Sequence, residues 1–261
     1  MAVTTFQRLE FLKRCLETWD QTRNREHEWT LIVADDGSGD GTVDYLADLE
    51  LEGVELRLVL CARRGVHHMV NQILLACLDM DFDFGFKTDD DLYYLAPGWD
   101  DAYYKAAMET GYHHLVHCDP DWRKGFYSRR LKKHESGLLE SRPHYYQVQG
   151  AFWTFTKAVI EKVGFYDLQN FGLCHQGHVD YSVRCALLGF NDPNRIFDIV
   201  DSNNYIRLVV EGYRGAISRK ARRGTMNGRS QRAHKMRLIK ARNRGYVPYN
   251  EAKVNMLLEE V

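Results

Sequence analysis

Three consecutive carboxylates, Asp89-Asp90-Asp91, follow the aromatic run Asp81-Phe82-Asp83-Phe84-Gly85-Phe86 and carry the strongest chemical signal in the chain. Adjacent like charges resist burial unless a cation compensates them, because an unpaired carboxylate loses its hydration. Oxygen ligands of this kind suit Mg²⁺ or Mn²⁺, usually shared with the phosphates of a substrate. An acidic surface turn is the competing reading, and the stretch alone leaves the two balanced. A second acidic turn, Asp35-Asp36-Gly37-Ser38-Gly39-Asp40-Gly41-Thr42, is glycine-rich. It lacks the spacing and terminal Glu of an EF-hand loop. Arg63 and Arg64 precede a helix start, where cations oppose the macrodipole. They either point into solvent or meet a phosphate.

The surrounding pattern says which elements must position these groups. Met1 to Phe6 reads as the end of a strand. Arg8 to Trp19 reads as an amphipathic helix, with Leu9, Leu12, Leu16 and Trp19 at helical spacing. Trp29 to Ala34 is a continuous apolar run of the kind buried on both faces of a parallel sheet. A helix at Val43–Leu49, a strand at Val54–Cys61 and a helix carrying Met69, Ile73, Leu74 and Cys77 follow. The aromatic run before Asp89 is a further strand, with Leu92 through Pro97-Gly98 as the turn that ends it. Ile196 to Val200 reads as the last strand. In open α/β sheets, ligands bind outside the carboxyl ends of strands. That rule puts Asp36 and the Asp89–Asp91 cluster on one edge.

Six blocks then fall into a known order. Val3-Thr4-Thr5-Phe6-Gln7-Arg8, Val33 to Thr42 with Asn71, and Thr88-Asp89-Asp90-Asp91 are followed by Gln149 to Phe155. Val163-Gly164-Phe165-Tyr166-Asp167 and His178-Val179-Asp180-Tyr181-Ser182-Val183-Arg184 complete the set. The series closely resembles family 2 glycosyltransferases, from residue 1 to about 190. The resemblance implies a GT-A fold: an α/β class, Rossmann-like α/β/α sandwich with a mostly parallel sheet. It implies a nucleoside-diphosphate sugar as donor, UDP-linked by expectation, and inversion by direct displacement onto a hydroxyl acceptor. By position, Thr4, Thr5 and Arg8 belong to the nucleotide pocket, and Asp36 to the base. Arg63 or Arg64 approaches the nucleotide, and Asp89, Asp90 and Asp91 hold Mn²⁺ or Mg²⁺ at the DxD position. The physics agrees, since a metal neutralises a leaving pyrophosphate.

One block departs from the pattern. Gly177-His178 stands where the family commonly has an acidic pair whose Asp deprotonates the acceptor. Asp180 and His178 are therefore the candidate bases, with Asp180 the first choice and His175 a weaker one. The QxxRW signature of processive synthases is absent, which disfavours a processive enzyme. Nucleotidyl transfer is disfavoured too, because its glycine- and lysine-rich opening loop is missing.

The net charge of −1 conceals a division. Residues 1–211 carry 22 Lys+Arg and 33 Asp+Glu, whereas residues 212–250 carry 12 Lys+Arg and no acid. The sequence thus divides into a GT-A domain at 1–211 and a basic C-terminal helical appendage at 212–261. The appendage is expected either to close over the diphosphate, with Arg214, Arg219 and Lys220 as candidates, or to grip a polyanion. A nucleic-acid-binding protein with an inactive transferase-like domain is the non-enzymatic alternative. Acceptors in range are a glycan, a lipid-linked hydroxyl or a modified nucleic acid. Scattered cysteines without a CxxC pair, no spanning apolar stretch and no signal peptide point to a cytoplasmic protein.

Overall fold

The computed structural model describes residues 1–118, 131–141, 149–172, 176–192 and 196–209. The basic run 212–250 with its His234, the aromatic loops within 119–130 and 142–148, Cys174 and His175 lie outside the described residues.

Strand β1 (Ala2–Thr5) leads to α1 (Leu9–Thr22), β2 (Trp29–Asp35), α2 (Thr42–Ala47), β3 (Val54–Leu60), α3 (Val66–Leu78) and β4 (Gly85–Asp89). Parallel neighbours need crossovers of helix length, and this alternation supplies them. After β4 come β5 (Leu92–Tyr94), α4 (Trp99–Thr110), β6 (Leu131–Lys133), β7 (Leu138–Ser141) and β8 (Phe152–Phe155). Helices α5 (Lys157–Val163), α6 (Leu168–Phe171) and α7 (Gly177–Leu187) precede β9 (Ile196–Ile199) and β10 (Ile206–Leu208). Among the described residues the central sheet has five strands in the order β3-β2-β1-β4-β8. The first four are parallel, and β8 joins β4 antiparallel. The expected α/β class with a mostly parallel sheet is what the chain adopts.

Two local expectations change. Leu92 to Tyr94 is a strand rather than a turn, because it pairs antiparallel with Ile206–Leu208. For the same reason Ile196–Ile199 is not the last strand; it belongs to a small sheet with β6 and β7.

Alternation along the strands divides the core into two layers. Val3, Leu31, Val33 and Phe152 face α1 and α4, where Leu12, Leu16, Trp19, Trp99 and Tyr103 meet them. Ala2, Ile32, Ala34 and Trp153 face α3, α5 and α7, against Met69, Ile73, Ile160, Val179 and Tyr181. At Gly85 the sheet requires a missing side chain: a Cβ there would run into the Phe155 ring of the paired strand.

One buried group on the second layer sets a pH limit on this core. The His114 ring is enclosed, with Nδ1 3.2 Å from the Thr154 carbonyl oxygen and Nε2 2.9 Å from Ser182 Oγ. The carbonyl can only accept, so Nδ1–H donates to it and Nε2 accepts from the Ser182 hydroxyl. Burial lowers its pKa from 6.5 to about 3. As pH falls below 6.5 the unfolded chain takes up a proton that the folded chain refuses. Stability is then lost at up to about 1.4 kcal/mol per pH unit. Urea melts between pH 6.5 and 4 should therefore fall more steeply for the intact chain than for His114→Gln. Equal slopes would count against this assignment.

Candidate functional site

The carboxyl ends of β1, β2 and β4 converge. Hydrogen-bonded pairing sets Thr4 beside Asp89 and Thr5 beside Asp35. Chain turns at these ends carry the acids: Asp36 after β2, Asp90 and Asp91 after β4. The sequence-predicted groups on this edge are thus brought together, but their partners differ from expectation.

The three aspartates are already compensated. Arg8 Nη1 lies 2.8 Å from Asp90 Oδ1, and Nη2 lies 3.0 Å from Asp91 Oδ2. Lys87 Nζ pairs with Asp89 Oδ1 and donates to the Gly150 carbonyl at 3.1 Å. Thr4 Oγ1 donates to Asp89 Oδ1 at 3.1 Å, and Thr5 Oγ1 to Asp90 Oδ2 at 2.8 Å. So the hydroxyls of Thr4 and Thr5, expected in a nucleotide pocket, are engaged by aspartates. Arg8 likewise reaches carboxylates rather than open space. Asp90 and Asp91 are buried, and loss of hydration pushes both carboxyl pKa values up despite Arg8. Asp89 keeps a side chain 32% exposed. Among the described residues no group of three or more His, Cys, Asp or Glu is arranged to hold an ion unaided.

The second acidic turn acts as a clamp. Asp35 Oδ2 accepts from the backbone N–H of Gly37 and Ser38, closing the turn on itself. Asp36 Oδ1 accepts from Arg64 N at 2.5 Å and from Gly65 N, so it ties the β3–α3 loop to the end of β2. Gly37 has a φ of +79°, which only glycine adopts without strain, and a Cβ there would crowd Cys61 O at 3.1 Å. Arg63 and Arg64 are exposed, and the Arg63 guanidinium stacks on Phe6 at 4.2 Å from the ring centroid. Between β1 and α1, Gln7 takes a left-handed φ of 49°. Its N–H donates to Ser38 Oγ, and the next N–H but one, Leu9, donates to Asp40 Oδ2. The glycine-rich loop therefore holds the backbone on both sides of Arg8.

The two candidate bases separate. Asp180 is buried, and Arg184 Nε donates to its Oδ2 at 3.0 Å from one helical turn along α7. Arg184 is itself enclosed and donates to the Val163 and Phe165 carbonyls. His178 is half-buried and lies over Gly150: a Cβ on that glycine would meet its Cγ at 2.7 Å. Gly150 is the residue whose carbonyl receives Lys87, so His178 stands one residue from the Lys87–Asp89 pair. Helix α7 starts against α3, where Gly177 leaves room for the His67 ring.

Sequence reading overlooked Lys87. Its signal was present: a lysine in the middle of the strand Gly85–Asp89, two residues ahead of three acids that need a counter-charge.

Comparison with known proteins accords with this geometry. The family model described as Glycosyl transferase family 2 matches residues 1–164. S. aureus TarS 1-349 in complex with UDP-GlcNAc is similar in structure, with a TM-score of 0.64 and 15% identity. That match covers 99% of this chain and 70% of TarS 1-349. Mannosyltransferase PcManGT from Pyrobaculum calidifontis, in complex with GDP-Man and Mn²⁺, gives a TM-score of 0.57 at 16% identity. There the match covers 77% of this chain, which spans only 54% of that protein's chain. GalNAc-T7 with UDP, GalNAc and Mn²⁺ gives 0.55 at 12% identity, over 76% of this chain and 42% of that one. No curated protein matches by sequence. Identities this low speak to the fold, which is GT-A, while the family match extends over more than half of the residues. No described helix is long and apolar enough to cross a membrane. With its acidic strand ends gathered on one sheet edge and its blocks in family order, the chain belongs to glycosyl transferase family 2.

Proposed function

We propose that the chain transfers a sugar from a UDP-linked donor to a hydroxyl acceptor, with inversion at the sugar carbon. The observation that carries the reading is the convergence of Asp36, Arg8 and the Asp89–Asp91 cluster at the carboxyl ends of β1, β2 and β4. Ligands of open α/β sheets bind at this edge. The donor set fits Mn²⁺ or Mg²⁺ only as a partial shell, with Asp90 and Asp91 as the protein ligands and phosphate oxygens completing it. When bound, such an ion supplies positive charge to a departing diphosphate. Asp89, held by Lys87 and Thr4, orients the cluster. His178 takes the proton from the acceptor hydroxyl, because Asp180 is committed to Arg184. Arg63 and Arg64, exposed beside the clamp, approach the nucleotide.

Division at 211 and a contact between residues 212–250 and a polyanionic acceptor belong to the same proposal. Its support is the excess of 12 cations with no acid in that run. The hydroxyl acceptor is then a glycan, a lipid-linked hydroxyl or a modified nucleic acid.

A thermal-shift screen of nucleotide sugars with Mn²⁺, followed by donor hydrolysis, tests the reading. UDP-sugars should raise the melting midpoint and release UDP slowly in a metal-dependent manner. Failure of every nucleoside diphosphate to bind would remove the proposal. Asp36→Ala should weaken UDP binding by roughly tenfold or more, because the base loses its acceptor and the clamped loop loosens. The backbone N–H groups of Arg64 and Gly65 would also lose the acceptor that ties their loop to β2. UDP affinity that calorimetry finds unchanged in this variant would exclude Asp36 from the nucleotide pocket.

A further inference from the structure

Two cations compensate the aspartate cluster, and they are held differently. Lys87 is 2% exposed, sits within a central strand and is anchored by the Gly150 carbonyl as well as by Asp89. Arg8 lies at the start of α1 with its side chain 14% exposed. Its polar partners among the described residues are the carboxylates of Asp90 and Asp91 alone, with the Phe11 ring 4.7 Å beneath the guanidinium. Backbone hydrogen bonds to Ser38 and Asp40 fix the chain on either side, so the long side chain can swing while its base stays in place.

The charges make a simultaneous occupancy unfavourable. Three carboxylates with Arg8 and Lys87 leave a formal charge of −1. A divalent ion added beside both cations would turn this to +1 in a partly dry site, with the ion and guanidinium repelling each other at close range. A nucleoside diphosphate brings the anion that resolves the conflict, since guanidinium pairs with phosphate as readily as with carboxylate.

We propose that Arg8 is an exchangeable counter-ion. Without donor its guanidinium occupies Asp90 and Asp91. When the metal and diphosphate arrive together, the ion takes the two carboxylates and Arg8 transfers to phosphate oxygens. No covalent bond changes; the two ion pairs of Arg8 with Asp90 and Asp91 are given up for contacts of both carboxylates with the ion and of the guanidinium with phosphate. The exchange rests on the metal-and-diphosphate reading above, and it adds that Arg8 itself opposes metal binding until the diphosphate arrives, on top of the coupling that a shared shell supplies. Metal and nucleotide must bind with positive coupling, and each must strengthen the other by the same factor.

The test is Mn²⁺ binding to the full chain, followed by the loss of the free-ion paramagnetic resonance signal, with and without UDP. The intact chain should bind Mn²⁺ weakly alone and on the order of 10–100-fold more tightly with saturating UDP. Arg8→Gln should bind Mn²⁺ alone about tenfold more tightly than the intact chain, with the UDP enhancement reduced by a similar factor. Arg8→Lys, which cannot span both carboxylates, serves where Arg8→Gln fails to fold and should lie between the two. If neither folded variant gains affinity for Mn²⁺ alone while the intact chain keeps its UDP enhancement, the exchange is wrong and the metal reading survives. If the intact chain binds no Mn²⁺ even with UDP, both fall.

Discussion

Replacing His178 by Ala is expected to lower donor turnover by about 10²–10⁴-fold while leaving UDP affinity and the unfolding midpoint near those of the intact chain. The ring is half-buried and rests over Gly150, at the lip of the acidic cluster, so its removal takes away a proton acceptor without opening the core. Asp180→Asn should behave in the opposite sense. It removes the counter-ion of Arg184, which cannot leave because two backbone carbonyls and the surrounding apolar layer hold it. Breaking a buried pair on one side costs about 3–5 kcal/mol. The variant should melt well below the intact chain, yet turn over donor normally per folded molecule. Turnover and chemical denaturation measured on both variants separate the roles. An Asp180→Asn chain that is stable but inert, beside a fully active His178→Ala chain, would return the base to Asp180.

Asp91→Asn should be the most damaging change in the cluster. Loss of one preorganised charge at a site where charge develops costs roughly 10²–10³-fold in turnover, and loss of a metal ligand should do no less. The fold should tolerate it. Burial already disfavours the charged form of this carboxyl, and Asp89 adds like-charge repulsion. Neutralising it relieves both, while Arg8 keeps Asp90 as a partner. The expected pattern is therefore a dead enzyme with an unchanged or slightly higher unfolding midpoint. Full turnover of Asp91→Asn in the presence of a chelator would remove the metal role from these residues.

How far the sequence could be read follows from the range over which each feature is set. Strand–acid–helix units are local, and β1, β2, β3 and β4 with their helices lie within a few residues of where periodicity and turn chemistry put them. The shared edge for Asp36 and Asp89–Asp91 follows from a rule about parallel sheets and needs no contact information. Pairings set at long range were not legible. Arg8 meets Asp91 across 83 residues of chain, and nothing in either neighbourhood says that they touch. The strand at Leu92–Tyr94 exists because Ile206–Leu208 comes to lie beside it. The pairing of Asp180 with Arg184, by contrast, is local and legible: acid and base one helical turn apart are natural partners. The role of Lys87 is half legible: its place in the strand is local, but the Gly150 carbonyl that anchors it lies 63 residues away.

Gln7 carries a trade-off between robustness and precision. A non-glycine residue in the left-handed region is held there at a cost of about 1–2 kcal/mol, and Gly or Asn would occupy the position more comfortably. The strain is sustained by hydrogen bonds that the glycine-rich loop directs at Gln7 and Leu9. A Gly at position 7 would widen the range of backbone angles open to the turn and blur the direction in which Arg8 leaves it. Stability gained there would be taken from aim, which is why consensus-style stabilisation of this enzyme should spare that turn.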